Sequence, residues 1–194
     1  MRYLFATLVM MPLLALNAHA ADNTQTAILG GGCFWCVESD FDKVEGVIST
    51  VSGYTGGSIQ NPTYENHKSG TPHVEVVKVT FKPDVISYKD ILTHYFTHID
   101  PLDEGGQFCD RGPSYRPVIF AKEGTQMAVA KERKIWAEKV LGKPVAVEIQ
   151  PTHTFHKAEE YHQNYYKKNP IRYTYYRLSC GRNARVDEVW SDLP

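Results

Sequence analysis

The chain has 194 residues, a formal net charge of −1 and four cysteines. That length suits roughly one domain, large enough to bury a core without covalent staples. The near-neutral balance offers no charge excess for nucleic acid or an anionic membrane, and four cysteines are too few for a disulfide scaffold.

The first twenty residues read as a signal peptide. Arg2 gives a positive start, Leu4 to Leu16 is an apolar run too short for a membrane span, and Ala18-His19-Ala20 is a small-x-small cleavage site before Ala21. Residues 21–194 are then a single exported domain, periplasmic or secreted. Thr26 to Leu29 reads as a short buried strand, and Gly30-Gly31-Gly32 lets the backbone turn tightly. Phe34, Val37, Phe41 and Val44 recur at helical spacing up to Gly46. Val47 to Tyr54 is a second strand. A Gly-, Asn- and Pro-rich loop, 55–72, follows it, of a length that is usually functional or disordered. His73 to Phe81 is a third strand, with Glu75 on the same face as Val77, Val79 and Phe81. Ser87-Tyr88-Lys89-Asp90 resembles a capping box, and a helix runs on through Ile99. After an irregular segment, 101–116, come a strand at Pro117–Ala121 and a helix from Gly124 to Leu141, closed by Gly142. Val145, Val147 and Ile149 alternate as a fifth strand. Ala158 to Lys168 is a last helix, stopped by Pro170. The first four strands give the order β-α-β-β-α-β. That predicts a two-layer α+β fold of the ferredoxin-like, split βαβ kind, with a mixed sheet and an extra C-terminal helix and tail.

The sharpest chemical signal is Gly31-Gly32-Cys33-Phe34-Trp35-Cys36. The glycine turn places Cys33 at a helix start, where unpaired N–H groups and the helix dipole favour the reactive thiolate. Phe34 and Trp35 follow at once and could wall an apolar pocket suited to a methyl group. Other readings of the Cys-x-x-Cys spacing are a structural disulfide, a zinc site and a thioredoxin-like dithiol. No second ligand pair stands at zinc spacing, and the thioredoxin motif normally has Trp before the first cysteine. His94 and His98 are i,i+4 on a helix with no third ligand evident, which favours a solvated face over a metal site. Tyr165-Tyr166-Lys167-Lys168 with Arg172-Tyr173 could stack on bases, but the neutral charge favours packing as much. His162 could serve as the base of a Cys/His hydrolase, though no spacing selects it.

Gly32-Cys33-Phe34-Trp35 resembles the signature of the A-type methionine sulfoxide reductases, the peptide-methionine (S)-S-oxide reductases. The likeness extends over almost the whole mature chain. It takes in Ser52-Gly53-Tyr54, Asn61-Pro62-Thr63-Tyr64, His73-Val74-Glu75-Val76-Val77, Asp110-Arg111-Gly112, Tyr115-Arg116 and Ala158-Glu159-Glu160-Tyr161-His162-Gln163. The resemblance implies a ferredoxin-like plait and reduction of the S epimer of methionine sulfoxide, in proteins or free. It implies no bound cofactor, no metal, and a thioredoxin-type protein as electron donor. It implies Cys33 as nucleophile, Glu75 as the acid that protonates the sulfoxide oxygen, and Tyr64 and Tyr115 as phenols bonded to that oxygen. Asp110 would belong to the same pocket, and Phe34 and Trp35 would surround the substrate methyl. A carboxyl on an apolar strand face should be held protonated near neutral pH, which suits Glu75 independently.

After attack, Cys33 would become a sulfenic acid that condenses with a second thiol. In many family members that thiol lies just beyond the Asn-Pro after the last helix. Here Asn169-Pro170 is present, but no cysteine stands there. Cys180, in a C-terminal segment that reads as mobile, is the expected partner, with Cys36 as rival and Cys109 third. Two other functions remain open on the sequence: a general dithiol-disulfide oxidoreductase using Cys33-x-x-Cys36, and a secreted binding domain with structural disulfides.

Overall fold

The computed structural model describes residues 23–191 and 193. The expected signal peptide at residues 1–20 lies outside them. In chain order the elements are β1 (Gln25–Gly30), α1 (Phe34–Phe41), β2 (Val47–Thr55), β3 (Val74–Phe81), α2 (Tyr88–Phe96), β4 (Gly106–Gln107) and β5 (Asp110–Arg111). A 3-10 turn (Pro113–Tyr115) precedes β6 (Val118–Ala121), α3 (Thr125–Leu141), β7 (Glu148–Pro151), β8 (His156–Lys157), α4 (Tyr165–Lys168), α5 (Pro170–Ser179) and α6 (Arg182–Val189). The α+β class and the mixed sheet are as expected.

Six strands form one sheet in the order β7-β6-β1-β3-β2-β8. β3 lies between β1 and β2 and runs antiparallel to both, and β6 is antiparallel to β1. β7 pairs parallel with β6, the one parallel pairing among the described residues. Side chains of β3 alternate as a strand requires. Val77, Val79 and Phe81 join the main core with Phe34 and Phe41 of α1 and Ile91 and Leu92 of α2, while Val74 and Val76 pack on the other face with Val118 and Phe120. Each fully buried aliphatic or Phe side chain contributes about 1.5–3 kcal/mol. Ser87 caps α2 as its sequence suggests, its hydroxyl accepting the Asp90 amide at 3.1 Å.

The C-terminal third departs from expectation. The helix foreseen over Ala158–Lys168 is a turn region followed by the four-residue α4. Asn164 takes a left-handed conformation, φ 52°, which breaks any continuous helix there. Its amide donates to the Glu38 carboxylate at 2.9 Å, which holds that conformation. Pro170 does not stop structure; it opens α5 at a first-turn position, where its missing N–H costs nothing. The segment around Cys180 is helical on both sides, not a mobile tail. Val145 and Val147 are buried but precede the paired strand, which begins at Glu148. The segment 101–116 carries a small hairpin, β4–β5, with Phe108 at φ 55° in its turn.

Candidate active site

Cys33 stands immediately before α1, and its carbonyl accepts the Cys36 amide at 3.1 Å. Gly32 leads into it at φ +84°, and a Cβ there would come within 2.7 Å of Gln107, so only glycine fits. Around the sulfur is a small cavity of about 60 Å³. The start of α1 supplies Phe34 and Trp35, with Cys33 capping it; β3 supplies Glu75; the loop after β2 supplies Tyr64; β5 supplies Asp110; and the 3-10 turn supplies Tyr115. The structure thus gathers every residue assigned to the pocket from sequence, except Cys180. It adds Tyr176 from α5, which sequence reasoning did not single out.

Glu75 is almost wholly buried, with 2% of its surface exposed, on the helix side of the sheet. Its Oε2 accepts the Phe34 amide at 3.2 Å. Burial pushes its carboxyl up from 4.5 to about 8; the nearby Asp110 adds to this, and the Phe34 amide and Lys68 oppose it. At neutral pH Glu75 therefore carries a proton it can give away. Asp110 is also raised, by burial, and the Tyr176 hydroxyl donates to it in a short contact. Tyr115 receives a hydrogen bond from the Lys68 ammonium at 2.9 Å, which leaves the phenol proton free to point into the cavity. Tyr64 is 43% exposed at the mouth, and its amide is pinned by Glu159 at 2.8 Å.

The aromatic wall is braced from behind. Trp35 lies flat on Tyr165, with ring centroids 3.6 Å apart, and its indole N–H donates to His162 Nδ1 at 2.9 Å. The His162 ring also meets Phe34 at 4.9 Å. Gln163 bonds both the amide and the carbonyl of Ser52, so the segment 158–163 is stitched to β2. Tyr165 and Tyr166 are spent on internal packing: Tyr166 donates to Asp42 at 2.8 Å. His94 and His98 stack on each other at 3.8 Å, and their ring nitrogens face the backbone carbonyls of Asp40 and His94.

The cysteines sort differently from the sequence reading. Cys180 is bonded to Cys109, with Cα atoms 5.0 Å apart, while Cys33 and Cys36 are free and buried. Cys180, expected to swing over Cys33, has its sulfur paired with Cys109 here and sits between α5 and α6. The dipole argument for a Cys33 thiolate is also outweighed. Burial pushes the Cys33 thiol up, helped by the hydrogen bond to Cys36 and by the charges of Glu75 and Asp110. Cys36 is the more acidic partner, brought down to about 7 by the bond from Cys33 against the opposing effect of burial, with help from Arg182 and Arg177. Arg182 is itself buried, donating to the Gly31 and His98 carbonyls at 3.1 and 2.9 Å. Neither arginine was legible as part of a thiol site, because both reach it from α5 and α6 through tertiary packing.

The sequence matches the family of peptide methionine sulfoxide reductases over residues 25–193. Peptide methionine sulfoxide reductase MsrA 2 of Rhizobium meliloti is 50% identical over 192 residues, covering 99% of this chain and 96% of that protein. The solved methionine sulfoxide reductase A of Corynebacterium diphtheriae superposes with a TM-score of 0.71 at 29% identity, covering 78% of each chain. Saccharomyces cerevisiae Mxr1, solved in complex with Trx2, superposes at 0.52 with 22% identity over 74% of this chain and 85% of that one, a likeness of fold. With its paired thiols, buried acid and aromatic pocket, this chain belongs to the peptide methionine sulfoxide reductase family and is an oxidoreductase.

Proposed function

We propose that this protein reduces the S epimer of methionine sulfoxide, in proteins or free, through Cys33. The single observation that carries this is the juxtaposition of a free thiol, a buried acid raised to about 8 and an aromatic wall in one small cavity. The sulfoxide methyl lies against Phe34 and Trp35, and its oxygen faces Glu75, Tyr64 and Tyr115. Cys33 attacks sulfur as Glu75 gives its proton to the oxygen, which makes the oxygen able to leave. Cys36, brought down to about 7 and so partly thiolate near neutral pH, accepts the Cys33 proton. Oxygen passes to Cys33, leaving a sulfenic acid, and methionine departs. The balance is one thiol and one sulfoxide in, one sulfenic acid and one thioether out.

Cys36 then attacks the Cys33 sulfur, forming a disulfide and releasing water. Its contact with Cys33 supports this choice over Cys180, whose sulfur is engaged with Cys109. A thioredoxin-type protein dithiol restores the pair by exchange, becoming oxidised itself. The Mxr1–Trx2 complex of a fold relative supports a donor of that type. We read the domain as exported, on the signal-like residues 1–20, where it would repair oxidised exported proteins. The central order β6-β1-β3-β2 with antiparallel pairings supports a ferredoxin-like plait. A general dithiol oxidoreductase is disfavoured because Glu75, Tyr64 and Tyr115 converge on the Cys33 cavity, groups that dithiol–disulfide exchange does not need. The test is single-turnover reduction of each sulfoxide epimer without reductant. The S epimer should yield one methionine per enzyme, and Cys33→Ser none; turnover of the R epimer alone, or substantial activity of Cys33→Ser, would refute the assignment.

A further inference from the structure

His67 is fully buried in the loop between β2 and β3, and the reaction described above gives it no part. Its ring is fixed in one sense. Nδ1 lies 2.9 Å from the Tyr64 carbonyl and 3.2 Å from the Thr63 carbonyl. A carbonyl only accepts, so Nδ1 carries the ring proton. Burial holds the imidazole neutral. Nε2 is therefore a lone-pair nitrogen, and it has no hydrogen-bond partner of its own. It faces Glu75 Oε1 at 3.8 Å. The other carboxyl oxygen, Oε2, already accepts the Phe34 amide, so the acidic proton belongs on Oε1. Tyr54, the cross-strand partner of Glu75, stacks on the same imidazole at 4.9 Å and stops it turning away.

We propose that His67 is a positioning residue for the acid: its Nε2 lone pair, held toward Glu75 by the Nδ1–H bond to the Tyr64 carbonyl, keeps the proton on Oε1 and aims that oxygen. An ionised Glu75 would place two electron-rich groups face to face, whereas a neutral carboxyl offers Nε2 its proton. The same imidazole ties the acid to Tyr64, so two of the three groups meant for the sulfoxide oxygen share one anchor. When substrate enters, the Oε1 proton passes to the sulfoxide oxygen and His67 stays neutral. This rests on Glu75 acting as the acid of the proposed reaction.

Other titratable groups set the background. Facing Glu75 are Asp110, Lys68, Tyr115, Tyr64, Tyr54 and Cys33. Facing His67 are Lys68 and His73 from its own loop and His162 from beyond β8. Tyr115 hydrogen-bonds the Glu75 carboxyl as a donor, which favours its charged form, and the substitutions below leave all of these groups in place.

The test pairs two variants with one spectrum. His67→Asn keeps a donor for the Tyr64 carbonyl but withdraws the lone pair; His67→Gln can present a carbonyl oxygen where Nε2 stood. Single-turnover rates against pH should fall away at lower pH in His67→Asn, about tenfold below wild type at pH 8 but within about threefold at pH 6. His67→Gln should restore most of the profile. The spectrum is 15N NMR of histidine side chains in the unmodified protein. It should show His67 Nε2 as an unprotonated acceptor whose shift moves as Glu75 loses its proton, and stays still in Glu75→Gln. A protonated His67 Nε2, or both variants lying on the wild-type pH profile, would overturn the proposal. An intact NMR signature without sulfoxide reduction would instead count against the proposed reaction, and the spectrum needs neither variant to fold.

Discussion

Replacing Glu75 by Gln separates what the carboxyl does for catalysis from what it costs the fold. Burial raises this acid from 4.5 to about 8. The folded value lies above the unfolded one, so the folded chain holds an extra proton between those limits. The stability this lends is fully present below about pH 4.5 and is lost as pH rises through about 8. At about 1.4 kcal/mol per pH unit, holding the proton costs the folded state roughly 3 kcal/mol by pH 7. Gln is isosteric, never ionises, and can still accept the Phe34 amide. The stability gap between Glu75→Gln and wild type should therefore widen by about 3 kcal/mol, in favour of the variant, from pH 4.5 to pH 7. Glu38 is also buried and raised to about 7, but it is present in both proteins and cancels. Urea unfolding at pH 4.5, 6 and 7 measures the gap, and single-turnover kinetics on the same samples should show a loss of order 10²–10⁴-fold. Parallel stability curves would refute the argument that burial keeps Glu75 neutral, whatever happened to activity.

Three further outcomes are expected. Peptide mapping after one turnover should recover a new Cys33–Cys36 disulfide with Cys109–Cys180 unchanged, and Cys36→Ser should turn over once and then stall with a thioredoxin-like donor; a Cys33–Cys180 product would reverse the assignment of the resolving thiol. The Cys109–Cys180 bridge spans 71 residues, and closing a loop of that size should make the double serine variant about 4 kcal/mol less stable by urea unfolding; a loss under about 1 kcal/mol would mean the bridge does little for the fold. Tyr176→Phe removes the hydroxyl that donates to Asp110, and should lower kcat/KM about tenfold while leaving the thermal midpoint near wild type; an unchanged kcat/KM would remove Tyr176 from the pocket's working parts.

Much of the site was legible because its signals are local. The glycine run before Cys33 announces a tight turn into a helix, and strand parity alone places Glu75 beside Val77 on the buried face. Tyr64, Tyr115 and Asp110 carry no such mark. Each lies where the sequence shows no regular pattern, and only the resemblance to a family assigned them. Tyr176 and Arg182 were missed because what defines each is a partner far along the chain, Asp110 and the Gly31 carbonyl in turn, and His67 because only the folded loop turns its ring toward nearby Glu75. The C-terminal helices failed for a different reason. Periodicity ran through Asn164, but its side of the turn is decided by Glu38, more than a hundred residues earlier. Pro170 was read as a stop, although the first turn of a helix tolerates it as readily. Cys180 read as part of a mobile tail because Gly181 and charged residues follow it, whereas Gly181 instead leads into α6.

The distribution of sulfur has an analytical consequence. Cys33 and Cys36 are reduced but lie below the surface, at 7% and 2% exposure, and the other two cysteines are joined to each other. A bulky colorimetric thiol reagent added to the native protein should therefore count close to zero thiols, the same reading a fully oxidised sample would give. Only denaturation tells the two apart, releasing two thiols from the resting protein and none from the spent one. Stocks of this enzyme judged by native thiol titration alone would be scored as inactive while still fully charged for a turnover.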